Sequence, residues 1–198
     1  MQENDQKIFT CSVKVGHHVP RHVFEIYHKE EIKKVSISDF EGTWLILFFY
    51  PADFTFICPT ELEEMADYYE KFKKIGVEIV SVSTDTVFAH KAWHDTSPAV
   101  GKIQFPMAAD PTGNLSRIFG TYIEEEGFAL RGTFIVDPEG VVKSIEINDN
   151  SIGRSAKELF RKVQAAQFVA EHGGQVCPAS WEPGKDTLEP GLGLVGKI

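Results

Sequence analysis

The chain has 198 residues, 42% of them hydrophobic, and a formal net charge of −9. That length suits one domain, or one domain with a tail, and buries roughly two-thirds of the unfolded surface, so neither a metal nor a disulfide is needed to hold the fold. The acidic balance argues against a nucleic-acid partner and an anionic membrane surface, no apolar run approaches the ~20 residues that span a bilayer, and residues 1–9 lack the basic-then-apolar order of a secretory signal, so the expected setting is the cytoplasm.

The first strong element is Trp44–Tyr50, seven apolar residues in a row, a pattern for a central strand buried on both faces. Pro51 ends it. Val77–Thr84, short and rich in β-branched residues, reads as a second strand. Between them lies a helix. Thr60 and Glu63 have capping-box spacing, and Glu61, Glu63 and Glu64 put negative charge in the first turn. Leu62, Met65, Tyr69 and Phe72 recur at helical spacing, Lys71, Lys73 and Lys74 occupy the last turn, and Gly76 supplies a C-terminal cap. This is a β-α-β unit with parallel strands.

A further helix is predicted over roughly Val87–Thr96 and a short strand over Phe105–Ala109, stopped by Asp110-Pro111-Thr112-Gly113. Thr133–Val136 and Val141–Ile147 flank the turn Asp137-Pro138-Glu139-Gly140 and read as an antiparallel hairpin. The last helix covers Ser155–His172, opened by Ser155 and Glu158 and closed by Gly173-Gly174. The fold class is therefore α/β, a mixed central sheet flanked by helices. From Gln175 the chain is punctuated by Pro178, Pro183, Pro190 and several glycines, the pattern of an extended C-terminal arm. The expected organisation is a domain over 1–174 and an arm over 175–198, the arm lying on something else such as a second subunit.

Three cysteines are present: Cys11, Cys58 and Cys177. None forms a C-x-x-C pair, which argues against a redox dithiol and a zinc ribbon, and three scattered thiols are not a disulfide framework. Cys58 follows a strand end and precedes a helix. If the helix starts a few residues before Thr60, the sulfur faces unpaired backbone N–H groups and the positive end of the helix dipole, which favour the nucleophilic thiolate. The same position also suits a small buried hydrophobe. Thr55 is placed to bond the sulfur and a small polar substrate, or simply to cap the helix. Cys177, in the irregular arm, reads equally as a spare thiol. Cys11 has no evident role.

Pro51, Thr55 and Cys58 fill the pattern P-x-x-x-T-x-x-C, which resembles the active-site signature of the peroxiredoxins. FYPADFTFICPTEL, VSTDT at 82–86, KAWH at 91–94, ADPTG at 109–113, FIVDPEG at 134–140, VCPA at 176–179 and the closing LVGKI extend the likeness from about Val35 to Ile198. They resemble the alkyl hydroperoxide reductase C branch of the typical two-cysteine enzymes. The resemblance implies a thioredoxin-like fold with peroxiredoxin additions. It implies a peroxidase acting on hydrogen peroxide and organic hydroperoxides, with Cys58 as the peroxidatic cysteine. Thr55 and Arg131 would position the peroxide, Pro51 would shield the pocket, and Glu61 with Arg154 would hold the arginine and its loop. Cys177 would be the resolving cysteine, acting on Cys58 of a second subunit. A homodimer, further assembled into a decamer, follows from it. So does a disulfide reductase as electron donor, either the flavoprotein F subunit of alkyl hydroperoxide reductase or a thioredoxin. No cofactor and no metal in this chain are implied. The chain carries neither a Gly-Gly-Leu-Gly loop nor a C-terminal Tyr-Phe helix, so rapid capture of the oxidised sulfur is expected to protect Cys58 from over-oxidation.

Other signals carry less. Gly191 to Gly196 matches G-x-G-x-x-G, but only two residues follow, so no helix can present its N-terminus to a phosphate. Asn148–Gly153 is a poor calcium loop. Cys11, His17 and His18 lack a fourth zinc ligand. Trp93 and His94 read as packing residues.

Overall fold

The computed structural model describes residues 13–197, in two compact units that divide after Arg154. Cys11 and Ile198 lie outside the described residues.

In the first unit the strands are β1 (Val23–His28), β2 (Glu31–Ser36), β3 (Trp44–Phe49), β4 (Val77–Ser83), β5 (Met107–Ala109), β6 (Tyr122–Ile123), β7 (Phe128–Ala129), β8 (Arg131–Val136) and β9 (Val142–Asn148). Seven of them form one mixed sheet in the order β2-β1-β5-β4-β3-β8-β9, with β6 and β7 in a separate pair. The three central strands run parallel, β5 beside β4 and β4 beside β3, and the outer strands are antiparallel to their neighbours. Every residue of β3 is buried, which is why its sequence is an unbroken apolar run rather than an alternation. Leu45, Leu47 and Phe49 enter one core with Val80, Val82, Phe119 and Phe134.

Helices α1 (Cys58–Lys74) and α2 (Val87–Thr96) cross between the parallel strands, and α3 (Asn114–Ile118) follows β5. Helix α1 packs on β4, and α2 on β1 and β5. The predicted apolar stripe of α1, Leu62, Met65, Tyr69 and Phe72, is buried. Thr86 caps α2, its hydroxyl accepting from the Ala89 N–H.

Three expectations need correction. Helix α1 does not open with a Thr60–Glu63 capping box. Its first residue is Cys58, the flanking Ile57 offers no side-chain cap, the Thr60 hydroxyl donates to the Ile57 carbonyl at 2.6 Å, and Glu63 is taken by Lys102. Phe105 and Pro106 precede β5 instead of belonging to it. The hairpin of β8 and β9 begins two residues earlier than predicted, at Arg131.

The second unit contains α4 (Ala156–Glu171) and the arm. The Ser155 hydroxyl accepts from the Glu158 N–H as predicted, but the Glu158 carboxylate turns to Arg161 and does not close a box. The described residues of the arm form no strand or α-helix yet are tied down locally. Val176 and Leu188 form an antiparallel bridge, Trp181 is 3% exposed and packs on Phe168 with centroids 4.8 Å apart, and Arg161 donates to the Trp181 carbonyl.

Candidate active site

Strand β3 ends at Phe49, and Tyr50 to Ile57 form the loop that delivers Cys58 as the first residue of α1. Its sulfur meets the positive end of a 17-residue helix, where the first-turn N–H groups lack helical partners. Pro59 fits there because it removes a donor that would have been unpaired anyway. Cys58 is 0% exposed. Pro51 is buried and Thr55 half-buried on the same loop. The Thr55 hydroxyl donates to the Ala52 carbonyl at 2.9 Å, not to the sulfur. Its proton is spent, so toward a ligand the oxygen serves as an acceptor.

Strand β8 runs antiparallel to β3, so its first residue lies where β3 finishes. That residue is Arg131, 3% exposed. Its Nη1 donates to Cys58 Sγ at 3.4 Å and to Glu61 Oε2 at 2.6 Å. Its Nε and Nη2 both donate to the Asn150 carbonyl, at 3.0 and 2.9 Å. Glu61, one turn into α1, also takes Arg154: the backbone N–H and Nε on Oε1 at 2.8 and 2.9 Å, and Nη2 on Oε2 at 3.1 Å. The remaining fork of Arg154 reaches the Gly132 carbonyl and Thr133 Oγ1, and its guanidinium stacks 3.5 Å over the Phe48 ring. Burial disfavours the Arg154 charge and Glu61 opposes that effect. Guanidinium stays ionised in proteins. Two cations and one carboxylate therefore leave one net positive charge facing a sulfur sealed from water, a setting that a thiolate complements.

Cys58, Arg131, Glu61 and Arg154 are thus brought into one hydrogen-bonded cluster, with Pro51 and Thr55 on the loop that leads into it. In the second unit Cys177 is half-buried, its thiol 3.9 Å from the Ala165 carbonyl. Burial pushes its pKa up, and Arg161 acts in the opposite direction.

Residues that sequence reasoning passed over surround the loop. Tyr50 Oη donates to Asp53 Oδ1 at 2.7 Å, the Asp53 N–H donates to Asp85 Oδ2 at 2.7 Å, and His90 Nδ1 lies 2.8 Å from Asp53 Oδ2. Asn150, the anchor of Arg131, was read only as part of a loop. No sequence motif marks them: Asp85 and His90 reach Asp53 from 32 and 37 residues away, and Asn150 is bonded through its backbone carbonyl. Trp93 is buried and His94 bonds the Ile103 carbonyl, both as packing residues. Among the described residues, Glu30, His94 and Asp95 bring possible metal-binding atoms within 4.8 Å. The Lys91 ammonium already sits on both carboxylates, at 2.7 and 2.9 Å.

Comparison with known proteins gives a consistent picture. Residues 15–145 match the AhpC/TSA family, and residues 165–191 match the C-terminal domain of 1-Cys peroxiredoxin. Alkyl hydroperoxide reductase C of Staphylococcus haemolyticus (strain JCSC1435) is 55% identical over 170 residues, 86% of this chain and 90% of that protein. The protein of the same name from Escherichia coli (strain K12) is 52% identical over 174 residues, 88% and 93% of the two chains. The crystal structure of Enterococcus faecalis AhpC superposes with a TM-score of 0.81 at 49% identity, covering 84% of this chain and 99% of that one. Reduced 2-Cys peroxiredoxin of Plasmodium vivax gives a TM-score of 0.84 at 31% identity, covering 87% and 91%. The mixed sheet with α1 and α2 is thus the thioredoxin-like core of these enzymes. The chain belongs to the AhpC/TSA family and is a peroxiredoxin, a thiol peroxidase.

Proposed function

We propose that the enzyme reduces hydrogen peroxide and organic hydroperoxides at Cys58 and resolves the product with Cys177 of a second subunit. The observation that carries this reading is the Arg131 Nη1 held 3.4 Å from a buried Cys58 Sγ at the start of α1. The thiolate attacks one peroxide oxygen, the O–O bond breaks, and the departing alkoxide or hydroxide leaves as alcohol or water after taking a proton. Cys58 becomes the sulfenic acid. Arg131, unable to give up its own proton, stabilises charge on the oxygens as the bond breaks. Thr55 Oγ1 accepts from the peroxide O–H and so orients it. Pro51 keeps bulk water from the sulfur. Glu61 and Arg154 hold the Arg131 fork in place.

The Cys177 thiolate then attacks the Cys58 sulfur, leaving a disulfide and expelling the sulfenic oxygen as hydroxide, which takes a proton from solvent to become water. A dithiol reductase must return two electrons; the F-subunit flavoprotein and a thioredoxin both supply that chemistry. Assembly has support in two surfaces. Strand β9 is an edge of the sheet among the described residues; only its first residue, Val142, is covered, by backbone bonds to residues 16 and 17. An antiparallel copy of Lys143–Asn148 would extend the sheet into a homodimer. Phe54, Phe56 and Phe88 are 61%, 92% and 73% exposed, apolar surface suited to joining dimers into a decamer. The reading places the enzyme in the cytoplasm, where such reductases keep both thiols reduced.

The test treats reduced protein with one equivalent of hydrogen peroxide and runs a non-reducing gel, with Cys58→Ser and Cys177→Ser alongside. A covalent dimer that needs both cysteines is expected. Oxidised Cys58 without a cross-link would remove Cys177 from the mechanism, and an unreactive Cys58 would remove the whole reading.

A further inference from the structure

Cys58 has no exposed surface, yet a disulfide requires a second sulfur about 2.05 Å away. The loop that hides Cys58 from Cys177 must therefore be fastened during peroxide attack and released afterwards. The fastening is visible in the structure. Asp53 is 7% and His90 0% exposed. Besides Asp53 Oδ2 at 2.8 Å, His90 has the Ala108 carbonyl at 3.1 Å on its other nitrogen, Nε2. The ring is hydrogen-bonded at both nitrogens, with a carboxylate oxygen on one side and a backbone carbonyl on the other. The imidazole thus links the loop, α2 and β5.

Asp53 is held from two further directions. Tyr50 Oη donates to its other oxygen, and its own N–H donates to Asp85, which Ser83 Oγ steadies at 3.1 Å. The Tyr50 pKa is raised far above the usual phenol value by burial and by Asp53, so the phenol remains a donor. The next residue, Phe54, has φ +55, left-handed backbone that a β-carbon disfavours and that persists only where its surroundings impose it. Its ring leans on Trp93 at 5.9 Å between centroids, and Tyr50 approaches the same indole at 6.2 Å. A strained residue directly after a buried hydrogen-bonded fastening is a loop under load: release of Asp53 lets Phe54 relax and frees the segment leading to Cys58.

We propose that Asp53 and His90 are positioning residues that clasp the Tyr50–Ile57 loop, holding Cys58 in the peroxide-reactive geometry and setting how readily the loop opens for disulfide formation. The proposal rests on the Cys58–Cys177 reading above. The pair touches neither peroxide nor sulfur, so its effect is expected as a divergence between two chemical steps.

The test compares Asp53→Asn and His90→Asn, near-isosteric or still hydrogen-bonding changes, with wild type in single-turnover stopped-flow, using the intrinsic fluorescence of the three tryptophans. The expected result is a tenfold or greater slowing of Cys58 oxidation by hydrogen peroxide, with disulfide formation unchanged or faster and a faster alkylation of Cys58 by iodoacetamide. A purely structural role would slow both steps together; that result, or no change in either, overturns the proposal. If a variant does not fold, hydrogen exchange on the wild type decides. The Asp53 amide is expected to be protected in the reduced protein and exchange at least tenfold faster in the disulfide form, and equal protection in both overturns the clasp. Wild type that forms no Cys58–Cys177 disulfide defeats the underlying reading instead.

Discussion

Replacing Arg131 separates charge from geometry at the sulfur. Its Nη1 is the side-chain donor on Cys58 Sγ, at 3.4 Å. Two unit charges at that distance in an effective dielectric of ~20 interact by roughly 5 kcal/mol. Here the guanidinium spreads its charge over three nitrogens, and Glu61 sits 2.6 Å from the same Nη1, so the smaller figure for a hydrogen bond to a charged group, about 1.5–3 kcal/mol, is the better measure. At about 1.36 kcal/mol per factor of ten, Arg131→Met is expected to slow Cys58 oxidation roughly 10- to 10²-fold. Arg131→Lys keeps the charge but cannot reach the sulfur, Glu61 and the Asn150 carbonyl together, so an intermediate loss is expected. Glu61 keeps its three contacts to Arg154 in both variants. The fold should therefore lose less than the ~3–5 kcal/mol typical of a stranded buried charge. Stopped-flow oxidation at several peroxide concentrations, with urea unfolding to confirm folding, measures both quantities. Arg131→Met within twofold of wild type would refute the role given to the arginine, and Arg131→Lys no better than Met would refute the role given to its charge.

Glu61→Gln leaves two buried guanidiniums without a carboxylate and should cost about 3–5 kcal/mol in urea unfolding; a loss under about 1 kcal/mol would contradict the charge balance drawn here. Gly132→Ala puts a β-carbon 2.5 Å from Thr121 Cγ2 and 3.1 Å from the Phe134 ring. Overpacking of about 1–3 kcal/mol is expected, together with slower Cys58 oxidation because Arg131 is the adjoining residue of β8; unchanged kinetics would show that β8 absorbs the strain elsewhere. Burial raises the Cys177 pKa above its ordinary 9.0, and Arg161 opposes the rise. The attacking form is the thiolate, so disulfide formation should be slow at neutral pH and still accelerate as pH passes 9.0, and Arg161→Met should slow it further at neutral pH. Rapid-quench measurement of the disulfide from pH 6 to 10 checks this, and a plateau below pH 9 would contradict it.

The chain announced those parts of the fold whose causes are local. Strand β3 stands out because burial on both faces demands unbroken apolar residues, and β4 because its short run is rich in β-branched residues. The hairpin of β1 and β2 was not legible. Strand β2 carries Glu31, Lys33 and Lys34 on an exposed edge with no alternation, and its turn places Lys29 and Glu30 at φ +51 and +61 without a glycine. Tyr27 and Lys91 hold that turn by hydrogen bonds to Glu30, one of them from 61 residues away. The start of α1 differs from expectation for a related reason: Thr60 and Glu63 have capping-box spacing, but the Thr60 hydroxyl turns to the nearby Ile57 carbonyl and Lys102, 39 residues away, claims Glu63. At the site, the helix-start position of Cys58 could be read locally. Arg131 and Arg154, 70 and 93 residues from Glu61, entered only through family resemblance, and Asp53 with His90 through neither route.

Arg131 stands one strand in from the edge of the sheet. It pairs with Asn148, the last residue of β9, and its fork hangs on the carbonyl of Asn150 just beyond. The seat of the arginine is therefore a cantilever, fixed along β8 and, among the described residues, free along the outer side of β9 beyond Val142. A strand laid against Lys143–Asn148 would damp the motion of that seat. Peroxide reactivity should then obey mass action: specific activity in the first chemical step falls as the protein is diluted, although the neighbouring subunit contributes no group to that step.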